Sequence, residues 1–325
     1  MTSGDGARDR WPELSFEAWK DTCATLHMWL QIVGKIRLTY SPWINHQWHS
    51  TLYVTSRGLT TLPIPHPRGP NFELDFDFFD HELRVSTSGG RRARVTLKSR
   101  TVANFHGALM GELGGLGLPV EIHGSPNEVP DAVPFAENEA DGSYDPEYVR
   151  RFFQSLASSA RVFVDFRSRF VGKCSPVQFF WGAMDLAVTR FSGRKAPPHP
   201  GGIPNLPDWV TREAYSHEVS SAGFWPGGPS NPRPTFYSYA YPYPEGFREA
   251  SVAPAAAHWD TELSEFVLPY EEVRKADDPE GVLTAFLEST YEGAAELAEW
   301  DRERLEWAPG EQPRTRGAAG TGRRG

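Results

Sequence analysis

Two histidines stand three residues apart, close to two tryptophans, in SPWINHQWHSTLYVT, residues 41–55. Imidazole titrates near neutrality and binds metals, so His46 and His49 are the first candidates for proton transfer or ligation. A third histidine, His217, sits beside Glu218 at the end of a long Pro-rich stretch, and Asp185 lies inside the otherwise apolar MDLAVTRF. Two chemistries suit this set. As ligands, His46, His49 and His217 with Glu218 or Asp185 match the preferences of zinc, iron or manganese, although no His-Glu-x-x-His or other named spacing is present. Without metal, the same groups serve as general acid and base on a small bound molecule. The plain alternative is that the histidines only hydrogen-bond across an internal interface. Backbone geometry constrains all three readings: on a helical turn His46 and His49 lie side by side, whereas neighbours such as His217 and Glu218 point to opposite faces of a regular strand.

Other chemistries are weakly supported. Cys23 and Cys174 are the only cysteines, too few for a disulfide framework or an all-thiolate zinc site. Cys174 follows a lysine at an expected helix end, where the dipole opposes a thiolate. No Gly-x-Ser-x-Gly elbow occurs, and GELGGLGL lies at a helix exit, the wrong end to bind phosphate. SGGRRARV reads as a solvated hairpin. Aromatic residues near the histidines and the Pro-rich stretch, namely Trp43, Trp48, Trp181, Phe224 and Trp225, are the expected walls of a binding site, and His199 in PPHPGG is the expected lid residue.

These residues need elements to position them. Phe16, Trp19, Cys23, Leu26, Leu30 and Val33 fall on one helical stripe, with Ser15 placed to cap its start and Gly34 its end. In FELDFDFF, Phe72, Leu74, Phe76 and Phe78 alternate with acids, the pattern of a half-buried antiparallel strand. A hairpin around Ser88–Gly90 follows, then a helix carrying Val102, Phe105, Leu109 and Leu113. Asp145-Pro146 and Asp278-Pro279 read as the cap and first residue of two further helices. MDLAVTRF, EVSSAGFW, TFYSYAY and SEFVLPY read as strands.

The programme runs twice. Val33-Gly34-Lys35 returns as Val171-Gly172-Lys173, and Ser41, Pro42, Leu52, Val54 and Thr55 return, after one short deletion, as Ser175, Pro176, Leu186, Val188 and Thr189. The expectation is an α+β protein of two tandem pseudo-symmetric repeats, each an antiparallel sheet flanked by an N-terminal and a C-terminal helix, packed into one compact body with a cleft between them. The boundaries are 11–123 for the first repeat, 124–143 for a polar linker, 144–308 for the second repeat with a Pro-rich insertion at 194–217, and 309–325 for a disordered tail. Shared residues hold the fold, so a single site should draw on the differences. His46 faces Phe180 in this alignment, His49 faces Ala183, and Thr51 faces Asp185. The insertion, with five prolines and two glycines, reads as irregular and lid-like. Lys35 and Lys173 mark an expected shared helix end and are secondary candidates.

The 325 residues carry a net charge of −9, which gives a nucleic-acid backbone or anionic membrane no long-range attraction. No secretory leader and no run of eighteen apolar residues are evident, so a cytoplasmic monomer or homodimer is expected. The strings WPELSFEAWKDTCATLHMWLQIVGKIRL, RFVGKCSPVQFFWGAMDLAVTRFSGR and PPHPGGIPNLPDWVTREAYSHEVSSAGFWPGG resemble an uncharacterised bacterial family known only as a domain of unknown function, over Trp11 to about Trp307. That resemblance implies a widespread soluble bacterial protein and supplies no mechanism. The expectation carried forward is an enzyme, of unassigned reaction class, acting on a small aromatic or apolar metabolite. His46, His49, His217, Glu218 and Asp185 would do its acid-base or metal-assisted work; the alternative is a non-catalytic binding or scaffold protein.

Overall fold

The computed structural model describes residues 10–229 and 231–307. The expected tail, 309–325, lies outside them. A long helix, α1 (Phe16–Tyr40), runs through the centre, with Trp29, Leu30, Ile32, Val33 and Ile36 wholly buried. A helix apolar on nearly every side belongs inside a core. It does not stop at Gly34 as the sequence suggested. A side chain there would place Cβ 2.3 Å from the Trp181 ring, so Gly34 is a point of close approach within the helix rather than its end. Lys35 is therefore mid-helix while Lys173 lies beyond the end of its helix, and the Val-Gly-Lys match does not mark a shared terminus.

The first sheet is an antiparallel meander of β1 (Tyr53–Val54), β2 (Gly58–Thr60), β3 (Phe72–Asp77), β4 (Glu82–Thr87) and β5 (Arg92–Thr96). Phe72, Leu74 and Phe76 of β3 face the core, as their alternation requires. Helix α2 (Val102–Gly115) closes this half, its start capped by the Thr101 hydroxyl accepting the Asn104 N–H at 3.1 Å. Trp29 of α1 stacks on Phe105 of α2 at 4.6 Å.

Helix α3 (Pro146–Ser168) begins where Asp145 accepts the N–H groups of Glu147 and Tyr148. The second sheet, also antiparallel, contains β6 (Gln178–Phe180), β7 (Asp185–Lys195), β8 (His217–Trp225), β9 (Thr235–Tyr241), β10 (His258–Asp260) and β11 (Glu265–Pro269), in the spatial order β10-β11-β9-β8-β7-β6. A helix, α4 (Asp208–Ala214), forms inside the Pro-rich insertion, which is thus partly regular. Helices α5 (Tyr270–Arg274), α6 (Pro279–Leu297) and α7 (Arg302–Leu305) complete the described chain, with Asp278 capping α6 through the Gly281 N–H.

The two sheets meet edge to edge. Leu52, just before β1, and Phe179 of β6 exchange two backbone hydrogen bonds, at 2.9 and 2.8 Å. One face of the second sheet packs on α3 and α6 through Leu186, Val188, Phe224 and Phe236. Arg190 shares that buried face, its guanidinium 3.4 Å over the Phe166 ring and 3.9 Å from Glu288. The other face, under the insertion, is the floor of a cleft.

Candidate functional site

Side chains alternate across β7, β8 and β9, and one set faces away from the core: Asp185, Ala187, Thr189 and Phe191, then Val219 and Ser221, then Tyr237 and Tyr239. They floor a cavity of about 440 Å³, within the usual range for small-molecule sites. One wall comes from the first half, where a 3₁₀ turn at Asn45–Gln47 brings His46, Gln47, Trp48 and Ser50 to the cavity. A second wall is Phe180–Ala183. The roof is the insertion, from Ile203 through α4 to Tyr215. Asn127 and Glu128 close one end.

The polar end has a defined geometry. Gly223 of β8 lies between Ala187 and Tyr237 in register, and a Cβ there would meet the Tyr237 ring at 2.3 Å. The bare backbone lets that ring cross the strand, so its hydroxyl donates to Asp185 Oδ2. The Tyr215 and Tyr239 hydroxyls are 2.7 Å apart, and Thr189 Oγ1 is 2.8 Å from Ser221 Oγ. Burial pushes Asp185 up to about 6, with the Tyr237 hydroxyl opposing the rise. Burial, then the Asp185 charge, pushes Glu128 up to about 7. Glu265 precedes Phe266, the partner of Ser238, and so falls opposite Tyr239 behind the cavity; burial, then Asp185, raises it to about 8. Among the described residues the Thr211 hydroxyl is buried without a hydrogen-bond partner, 3% exposed at the cavity wall, and the half-buried Glu128 carboxylate enters no side-chain hydrogen bond or ion pair.

His46 borders the cavity but is fully committed. Its N–H donates to both Glu213 oxygens at 2.9 Å, and Nδ1 donates to the Ala214 carbonyl at 2.9 Å. That tautomer leaves Nε2 as acceptor for the Lys173 ammonium, 2.5 Å away. Burial, and secondarily the Lys173 charge, lowers its pKa. His46 and Gln47 both hold φ near +60°, a strained conformation for residues with side chains, and the Glu213 and Ala214 contacts from the roof anchor it.

His49 turns inward, buried, with Nδ1 accepting the Ile44 N–H at 3.2 Å; it braces the turn and does not line the cavity. His217 packs edge-on to His46, ring centres 6.1 Å apart, with Nδ1 3.1 Å from Ser216 Oγ, and also stands outside the lining. Glu218 is on the opposite face, taken up by Ser192 Oγ at 2.8 Å and Arg194 Nε at 2.8 Å. The four residues proposed as a metal set therefore do not converge. Among the described residues no three His, Cys, Asp or Glu side chains are disposed to hold a metal ion, so this arrangement fits neither zinc, iron nor manganese.

Of the expected walls, Trp48 and Trp181 line the cavity, and Trp181 is fixed by its indole N–H donating to the Ser50 carbonyl at 2.7 Å. Trp43 is 57% exposed on the surface. Phe224 is in the core against Phe236 and Tyr270, because it follows Gly223 and takes the other face. Trp225 donates to the Ala183 carbonyl at 3.1 Å outside the lining. His199 stacks on Tyr215, centres 4.9 Å apart, and leans on Tyr241, pinning the insertion to the sheet. Lys35 donates to Asn127 Oδ1, which orients the segment carrying Glu128. Burial pushes the Cys23 and Cys174 thiols up to about 12 and about 11, away from nucleophilic use.

Sequence reasoning missed Glu128, Thr211, Tyr215, Tyr237 and Tyr239. The tyrosines were signalled by the period-two aromatic run of TFYSYAY. Glu128 had been assigned to a polar linker, yet its N–H donates to the Pro204 carbonyl at 3.0 Å and ties that segment to the roof.

The architecture is thus a mixed α+β body of two antiparallel sheets, with a roofed cleft on the second. The chain belongs to the family described as "Family of unknown function (DUF5996)", which matches residues 11–307. No curated protein and no solved structure matches it significantly. Among the described residues no helix is long and apolar enough to cross a membrane.

Proposed function

We propose that the protein is an enzyme that binds a small, largely apolar organic molecule in the cleft and moves a proton at its acidic end. The observation that carries this reading is the partnership of Asp185 and Tyr237, a buried carboxylate and a phenol joined at the floor of an aromatic-walled cavity. Carboxyl groups raised to about 6 and about 7 are present in both protonation states near neutrality, the condition under which a positioned side chain gives and takes protons best. Asp185 and Glu128 take the acid-base roles, Tyr237 orients Asp185, and Trp181, Phe180 and Phe191 hold the apolar body. His46 supports the wall.

The competing reading is a binding protein in which the same carboxyls only recognise the ligand. Native mass spectrometry of gently purified protein tests occupancy. An adduct of small-molecule mass is expected on the wild type and absent from an Ala187→Phe variant whose circular dichroism is unchanged; a cavity that stays empty when the protein is incubated with cell extract would refute the reading. Catalysis is separated from binding by Asp185→Asn, which is expected to abolish turnover of the bound compound even at concentrations that saturate the cleft; undiminished turnover at saturation would leave Asp185 with a binding role only.

We also infer that the two halves descend from one duplicated unit. The support is the common order of long helix, antiparallel sheet and closing helix, together with the paired residues Ser41-Pro42 and Ser175-Pro176. A cytoplasmic setting is proposed from the two free cysteines.

A further inference from the structure

The charge around the cleft is one-sided. Its lining holds two carboxyl groups, Asp185 and Glu128, and no lysine or arginine. Glu265 stands behind Tyr239, and Glu213 lies in the roof, accepting the His46 N–H. Two cations stand behind the lining and are engaged elsewhere: Lys173 is directed to His46 Nε2 and to the faces of Trp48 and Phe191, 5.5 and 4.9 Å from their centres, and Lys35 to Asn127 Oδ1 and the Trp181 face, 5.8 Å from its centre. Glu128 has no ion-pair or hydrogen-bond partner among the described residues, although its carboxylate rests so closely on Gly182 that a Cβ there would come within 1.9 Å of Oε1. A carboxyl withdrawn from water either meets a counter-charge or protonates, and the described residues give Glu128 no counter-charge.

Two further observations point to what is missing. Thr211 Oγ1, on the roof, is buried without a partner at the cavity, and a hydroxyl oxygen accepts hydrogen bonds readily. Tyr237 and Tyr239 stack at 6.0 Å, and Trp181, Phe180 and Tyr215 also border the space, so the acidic groups share the cavity with several aromatic rings. Carboxylates, a free acceptor and aromatic faces together are the surroundings an ammonium group prefers.

We propose that the cleft selects a small organic ammonium ion, its cationic head held between Asp185 and Glu128 and its apolar body against Trp181, Phe180 and Phe191. This rests on the cleft reading above and adds the class of ligand. Binding such an ion would supply the counter-charge the site lacks and draw both carboxyls into the ionised form.

The test uses the full chain and three probes of similar shape: 2-phenylethylamine, 2-phenylethanol and phenylacetate, by calorimetry at pH 8. The amine is expected to bind at least tenfold more tightly than either of the others. Glu128→Gln is expected to weaken the amine at least tenfold and leave the alcohol unchanged. Where that variant fails to fold, the wild type itself decides: amine affinity should fall at least tenfold between pH 8 and pH 5, as Glu128 and Asp185 take up protons, while the alcohol is indifferent. Equal or tighter binding of the alcohol or of phenylacetate, or an amine affinity indifferent to pH, overturns the charge inference and leaves the cleft standing. Failure of all three to bind overturns both.

Discussion

Asp185 is held between opposing influences: burial favours its neutral form, and the Tyr237 hydroxyl favours its anion. Removing that hydroxyl in Tyr237→Phe is expected to raise the Asp185 pKa above about 6, measured by carbon NMR of the labelled carboxyl; an unchanged value would mean that the bond does not form in solution. Asp185 itself was legible, since an acid within MDLAVTRF contradicts its apolar neighbours. Glu128 was not, because an acid in a polar Pro-rich segment breaks no pattern, and only the fold brings it beside Gly182. His46, His49 and His217 were conspicuous for the opposite reason. Their residue type advertises chemistry, yet the backbone groups of Ile44 and Ala214, the ammonium of Lys173 and the hydroxyl of Ser216 engage their ring nitrogens.

At the level of elements, the apolar period located α2, and capping located α3 and α6, each of which begins at an aspartate followed by proline whose acceptor is read directly from sequence. The end of α1 was misplaced because glycine has two uses, ending a helix and admitting a neighbour, and only the second applies at Gly34. This distinction has a measurable sign. Alanine is better than glycine inside a helix by about 1 kcal/mol, but overpacking costs about 1–3 kcal/mol, and the Trp181 ring is fixed by Ser50 and cannot retreat. Gly34→Ala is therefore expected to lower the melting temperature, where a free helical glycine would raise it. The insertion offers a second test. Glu213→Gln weakens the charged acceptor of the His46 N–H, and hydrogen exchange at the His46 amide is expected to accelerate while the β7 amides stay protected.

For the molecule as a whole, its titrating groups give stability a predictable slope. Glu128 and Glu265 have folded pKa values of about 7 and about 8, above those of the unfolded chain, so their stabilising contribution is complete at acid pH and is lost as pH rises through those values. The histidines His27, His46, His49 and His81 are lowered, chiefly by desolvation, and act oppositely, costing stability only as pH falls below about 6.5. Between pH 7 and pH 9 the histidines are neutral in both states, but Lys35, which burial lowers to about 8, works against the carboxyls and gains stability as pH rises. The carboxyl part is therefore read by difference: the melting temperature of a Glu128→Gln, Glu265→Gln variant is expected to rise relative to the wild type between pH 7 and pH 9, and a constant difference would show that burial does not raise these carboxyls. The α+β class and most strand positions followed from alternation alone. The edge-to-edge joining of the sheets at Leu52 and Phe179 did not, since main-chain pairing at a sheet edge leaves little trace in side-chain type.

The turn at His46 and its anchor at Glu213 are separated by 167 positions along the chain. On a translating ribosome the first half emerges long before the residue that fixes its most contorted corner has been made. That corner must wait, unset, until the second sheet has begun to assemble around it. The binding chamber thus cannot be complete before the insertion and β9 have been made, and a nascent chain interrupted before α4 would have neither roof nor full floor with which to hold a guest.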